Sequence, residues 1–240
     1  MKFKTSLVCA ALALTSAKTF AQEEVLGHIP VFNSVQVGYA QLDVDDLDDF
    51  KPKGFSFGAT KQFNNFNVAG SYVRGSDDQG MSYNYDDGNY FVDDKWNLDM
   101  TFTQMKLSLG YIIPAGIDGF IDMSIEYGEV KFEADIKGSL VEGSYNDAGQ
   151  RDIMFNDSYS GSEDASENLY GAQVRYTKYF GDIIVRASGG IERLDVDGAD
   201  SELVFGLEGG YNFTENLSAL ISYSKGSDYN IVGGLVRYQF

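Results

Sequence analysis

Gln104-Met105-Lys106-Leu107-Ser108-Leu109-Gly110-Tyr111 and, a short turn later, Ile121-Asp122-Met123-Ser124-Ile125-Glu126-Tyr127 alternate polar and apolar side chains one by one. Successive side chains of a strand point to opposite faces, so each segment is a strand with one apolar and one polar face. Working outward, ten runs of this period lie between turn residues, at about 33–43, 54–63, 66–75, 98–113, 118–134, 168–180, 183–194, 202–213, 217–225 and 230–240. Asn64-Asn65, the Pro114-to-Ile117 segment, Gly181-Asp182 and Thr214-to-Asn216 are tight connections, whereas 76–97 and 135–167 read as long polar loops. Short turns on one side and long loops on the other predict an all-β, antiparallel up-and-down barrel of the outer-membrane kind. Ten strands are expected, with eight as the alternative if one hairpin stays outside the bilayer.

Composition agrees with this class. The 240 residues include 27 Gly, 17 Phe and 16 Tyr but only 3 Pro, and no later stretch is apolar and long enough for a transmembrane helix. The net charge of −18 opposes binding to nucleic acid. At the amino end Lys2 and Lys4 precede an apolar run, Ser6 to Leu14, and small residues follow. This pattern predicts a cleaved signal peptide over 1–21, with a cut after Ala17 as a second possibility, and a barrel domain over 22–240. The one cysteine, Cys9, falls in the cleaved segment, so neither a disulfide framework nor a thiol site is expected.

The apolar face carries Met105, Leu107, Leu109 and Tyr111, then Ile125 and Tyr127, then Leu203, Phe205 and Leu207, then Val232, Val236, Tyr238 and Phe240. In a soluble secreted barrel of the lipocalin kind that face would point inward. The signal peptide, the aromatic residues near strand ends and the terminal Phe240 favour lipid outside instead. Hydrocarbon offers the backbone no hydrogen-bond partners, so the sheet must close. The polar face then lines the lumen with Lys106, Arg175, Arg186 and Arg237 against Asp122, Glu126, Glu192 and Glu208. A balanced set of this kind can pair into a network that fills a narrow interior, or can line a path for small polar solutes.

The second and third strands echo the eighth and ninth: Phe57-Gly58 matches Phe205-Gly206, and Ser71-to-Asp77 matches Ser222-to-Asp228. The pattern resembles the small Gram-negative outer-membrane barrels related to the OmpA-type transmembrane domain, including porin-like members. The sharpest element is the carboxyl end, Gly233 to Phe240, where Tyr238 and Phe240 occupy the third-last and last positions. It is similar to the assembly signal of such barrels, although the usual glycine falls at Leu235 and here sits at Gly234. The resemblance implies an outer-membrane location, contact with lipid and lipopolysaccharide, and delivery by the barrel-assembly machinery through the last strand. It also implies that the globular peptidoglycan-binding domain of longer relatives is absent.

Catalysis is not expected. Barrel enzymes of this size use a histidine at the outer rim or within the barrel, and the single histidine, His28, precedes the first strand. No cofactor is expected either. The stretches 44–53, 76–97, 135–167, 195–202 and 226–229 hold 23 acidic residues against Lys51, Lys53, Lys95, Lys137 and Arg151. Such acidic surface loops suit solubility, divalent cations or extracellular ligands. Asp43-Val44-Asp45-Asp46 and Asp195-Val196-Asp197-Gly198 are suggestive of a cation, but neither has the calcium-loop spacing. Tyr83, Tyr85, Tyr90, Phe91 and Trp96 give 76–97 an aromatic character suited either to sugar or protein contact or to packing over the rim. The functional expectations are a structural or surface-interaction barrel with a charge-filled lumen, a narrow porin-like channel, and the soluble lipocalin-like carrier.

Overall fold

The computed structural model describes residues 33–44, 50–196, 198, 200–227 and 229–240. The proposed signal peptide, His28, Asp45, Asp46 and Asp197 lie outside the described residues. Ten strands form one closed antiparallel ring, each paired with its chain neighbours and the last with the first. They are β1 (Ser34–Val44), β2 (Lys53–Phe63), β3 (Phe66–Asp86), β4 (Tyr90–Pro114), β5 (Gly119–Tyr145), β6 (Arg151–Phe180), β7 (Ile183–Leu194), β8 (Glu202–Asn212), β9 (Leu217–Lys225) and β10 (Tyr229–Gln239). The expected strand number is the one found, and the eight-stranded alternative is not. Closure joins the chain ends, with Ser34 opposite Gln239 and the Phe240 amide donating to the Asn33 carbonyl at 3.0 Å.

The turn chemistry explains the short-turn side. Asn64 and Gly181 adopt positive φ in two-residue hairpins, a conformation that Asn and Gly tolerate and that matches strand twist. Inside the ring, Gly38 allows β1 and β10 to approach closely, since a Cβ there would lie 2.4 Å from the Gly234 carbonyl oxygen.

The long-strand side corrects the sequence reading. Segments 76–97 and 135–167 are not loops. They extend β3 to 21 residues, β4 to 25, β5 to 27 and β6 to 30, whereas the remaining strands have 9 to 12. Crossing a bilayer takes about 9–11 residues of tilted strand. The excess, at about 3.3 Å per residue over some 15 residues, makes a panel on the order of 50 Å long beyond the membrane. Its connections are short, Asp87-Gly88-Asn89 and 146–150. Above Ser76 the panel has a free edge on β3, because the β2 pairing ends at Lys53–Ser76. A second free edge runs along β6 before Leu169, where the β7 pairing begins.

The echoed hairpins are not equivalent in register. Phe57 sits opposite Tyr72, but Phe205 sits opposite Lys225, and Tyr223 faces Leu207.

Candidate functional site: lumen, mouth and protruding panel

Alternation turns the apolar set outward. Leu107, Ile125, Leu207 and Val236 are exposed on the ring's exterior, while their chain neighbours Lys106, Glu126, Glu208 and Arg237 point into it. Aromatic pairs mark two girdles. Phe66–Tyr111, Tyr211–Phe213 and Tyr238–Phe240 lie on the short-turn side, with ring centroids 5.0, 5.4 and 6.4 Å apart. On the other side Phe55–Tyr72 and Tyr127–Tyr170 lie 5.7 and 5.4 Å apart. Amphipathic rings suit a membrane–water boundary. This orientation is opposite to that of a lipocalin-like carrier, and that alternative is set aside.

Inside, all eight sequence-derived charges meet partners. Register places Asp122 beside Arg175 and Arg186 beside Glu208 as direct cross-strand neighbours, at 2.6 and 3.0 Å. Glu208 also accepts from Arg237 at 3.2 Å, and Arg237 reaches Gln36 Oε1 at 3.3 Å, so the bonds cross the β8–β9–β10–β1 seam. Lys106 spans the ring from β4 to Glu192 on β7 and lies 4.0 Å from Glu126. Glu192 further accepts from the Tyr229 hydroxyl at 2.8 Å, and the Thr177 hydroxyl accepts from Arg186 at 2.9 Å. Gln36, Thr177 and Tyr229 were missed by the sequence reading, which searched for charge alone. Their inward parity was the available signal.

Except for Glu192 and Tyr229, which line a second cavity, these groups border a chamber of about 360 Å³. Ile112 and Ile184 are buried at its short-turn end. On the opposite side Leu42, Phe102, Val130 and Leu169 meet in a buried apolar cluster. They line that second cavity, of about 190 Å³, at the mouth. The lumen is therefore a charged layer between apolar ones, in a sealed sheet with lipid-compatible walls.

This is an outer-membrane β-barrel. The barrel is similar in structure to the attachment invasion locus protein Ail of Yersinia pestis (TM-score 0.39, 16% identity, covering 87% of this chain and 97% of that one). It is also similar to the β domain of the Bordetella autotransporter BrkA (TM-score 0.43, 13% identity, 88% and 100%). A third similarity is to the translocator domain of the autotransporter NalP from Neisseria meningitidis (TM-score 0.36, 13% identity, 100% and 98%). No protein-family model matches the barrel's sequence, and no curated protein does.

Above the mouth, register sorts the panel of this barrel into two faces, because residues opposite one another in a ladder share a face. Met81, Trp96, Gly138 and Tyr159 form one row, and the rows two residues on either side add Tyr83, Leu98, Ile136 and Leu140. This face continues downward into Phe102 and Val130, so it is the lumenal face prolonged. The outer face carries Ser82, Lys95, Asn97, Asp99, Lys137 and Ser158.

The panel's tip is tied by polar bonds. Asp87 accepts the amides of Asn89 and Tyr90 at 2.9 and 2.8 Å, which holds its carboxyl below the ordinary range. The Tyr145 hydroxyl, together with the Gly88 amide, does the same for Asp86. Arg151 bonds Asp93 at 2.9 Å and stacks over Phe91, 4.3 Å from the ring centre. Of the aromatic residues noted in the sequence, Phe91 thus packs within the panel, whereas Tyr83 and Tyr85 are exposed.

The candidate cation motifs remain incomplete within the description, since Asp45, Asp46 and Asp197 lie outside it. Among the described residues no three His, Cys, Asp or Glu side chains are grouped to hold a metal ion.

Proposed function

We propose that this barrel is a non-enzymatic surface-interaction protein whose filled lumen anchors the β3–β6 panel outside the membrane. The observation that carries the reading is the continuation of four paired strands far past the outer girdle, on a ring whose lumenal charges are paired. A pore would need that interior, whereas a display scaffold gains from stiffening it. Paired, partly buried charges suit a rigid interior. In this reading Tyr238, outward on β10, and Phe240, just past its end, engage the assembly machinery. Outward-facing Arg74, on the girdle row of Phe55, meets lipopolysaccharide, and divalent cations bridge the outer carboxylates.

The alternative is a narrow channel for small polar solutes, favoured by the chamber of about 360 Å³ lined by both charge signs. Planar-bilayer recording decides between them. Persistent silence is the expected result, and stable unitary conductance steps would favour the channel.

A further inference from the structure

The panel's lumenal face is an amphipathic surface without a partner in the chain. Trp96, Leu98 and Met100 on β4 stand beside Ile136 and Leu140 on β5, and this apolar strip runs into the mouth cluster at Phe102. Tyr83, Tyr85 and Phe155, on the same face, are 59%, 44% and 46% exposed. A contiguous apolar surface of this size on a water-exposed element marks an interaction site.

Its charge is one-sided. Asp94, Glu142, Asp157 and Glu163 project from this face of the panel, and none of its described positions is Lys or Arg. Lys95, Lys137, Lys131 and Arg74 all belong to the outer face. Asp94 is engaged by the Tyr159 hydroxyl at 3.1 Å and Glu142 by the Tyr90 hydroxyl at 2.8 Å. Asp157 and Glu163, both on the free-edged β6, have no cationic partner among the described residues.

We infer that this face receives a cationic amphipathic peptide segment, its apolar side on the Trp96–Ile136 strip and its Lys or Arg groups toward Asp157 and Glu163. Aromatic faces beside carboxylates suit ammonium and guanidinium groups on aliphatic stems. Four strands at about 4.8 Å spacing make a strip wide enough for one helix of about 10 Å diameter. The inference rests on the surface-interaction reading and names its partner class.

Trp96 is the only tryptophan of the chain and lies in the strip, so it reports occupancy directly. The full chain in phosphatidylcholine nanodiscs is titrated with an 18-residue Leu/Lys amphipathic peptide, and with its Leu/Glu counterpart. Empty nanodiscs serve as the blank. The expected result is a saturable blue shift of Trp96 emission with the Leu/Lys peptide and none with Leu/Glu. Asp157→Asn combined with Glu163→Gln should weaken binding about fivefold, the scale of two exposed ion pairs. Retention of the heat-dependent gel shift verifies that the variant is folded. Anisotropy of a labelled peptide added to the unaltered chain should give the same affinity, which confirms that the Trp96 signal reports binding. Equal binding of both peptides, no binding beyond the blank, or an unchanged affinity in the carboxylate variant would overturn the inference. Planar-bilayer recording of the same protein separates the two levels. A silent barrel that ignores the peptide loses only this partner class, whereas a conducting barrel loses the surface-interaction reading itself.

Discussion

Tyr159 lies across Gly138: a Cβ built on Gly138 would fall 2.2 Å from the Tyr159 ring, whose hydroxyl donates to Asp94 at 3.1 Å. The ring thus bridges from β6 over β5 to β4 and covers a gap that only glycine leaves open. Gly138→Val should expel Tyr159 and break its bond to Asp94. Since Trp96 is the β4 neighbour of Gly138, its emission should change while the heat-dependent gel shift of the barrel stays as it was. An unaltered Trp96 spectrum would contradict the bridge.

Glu208 is the shared acceptor of Arg186 and Arg237, and Arg237 is only 6% exposed. Glu208→Ala leaves two lumenal guanidinium groups without their acceptor, which should cost about 3–5 kcal/mol. The change should appear as earlier urea unfolding from lipid bilayers. Truncating Lys131, about a third exposed and paired with Glu133 at 2.9 Å, should leave the unfolding midpoint nearly unchanged in the same assay.

The mouth cluster tests occlusion from the other direction. Phe102→Ala with Leu169→Ala removes two of its four buried side chains. Each truncation should destabilise the barrel by about 2–5 kcal/mol. In planar bilayers the double variant should show brief conductance events that the parent lacks. Equal silence in both would mean that the charged layer alone closes the lumen.

The tip should loosen in acid. Asp86 and Asp87 titrate below their ordinary value of 3.8 in the folded panel, so their contribution is intact above that value. It is lost as pH falls through the lower, folded values. Amide exchange at Asn89 and Tyr90 should therefore stay protected at pH 5 and accelerate only below about pH 4. Acceleration already near pH 6 would refute the assignment, and Asp87→Ala should abolish the protection at every pH.

Much of this architecture was legible from alternation. Strand number, the outward set from Met105 to Phe240 and the inward parity of all eight charges follow from a period of two. Hairpin register then makes Asp122–Arg175 and Arg186–Glu208 neighbours. The link from Lys106 to Glu192 was not legible, because it depends on ring curvature bringing β4 opposite β7. The panel was misread for a different reason. Gly80, Gly138 and Gly161, amid Ser, Asn and Asp, lower local strand preference and imitate a loop. Pairing within the four-strand ladder overrides that preference. A signal was nevertheless present: Trp96, Leu98, Met100 and Phe102 alternate with Lys95, Asn97, Asp99 and Thr101. On β6, residues 151–167 carry too faint an alternation to have been read alone.

The unequal strand lengths make the molecule a ruler. A blade on the order of 50 Å long, measured along its strands, would be touched only where any coat around it is shorter than its reach. Coat thickness, rather than the amount of protein made, would then set when its tip and flank meet the surroundings.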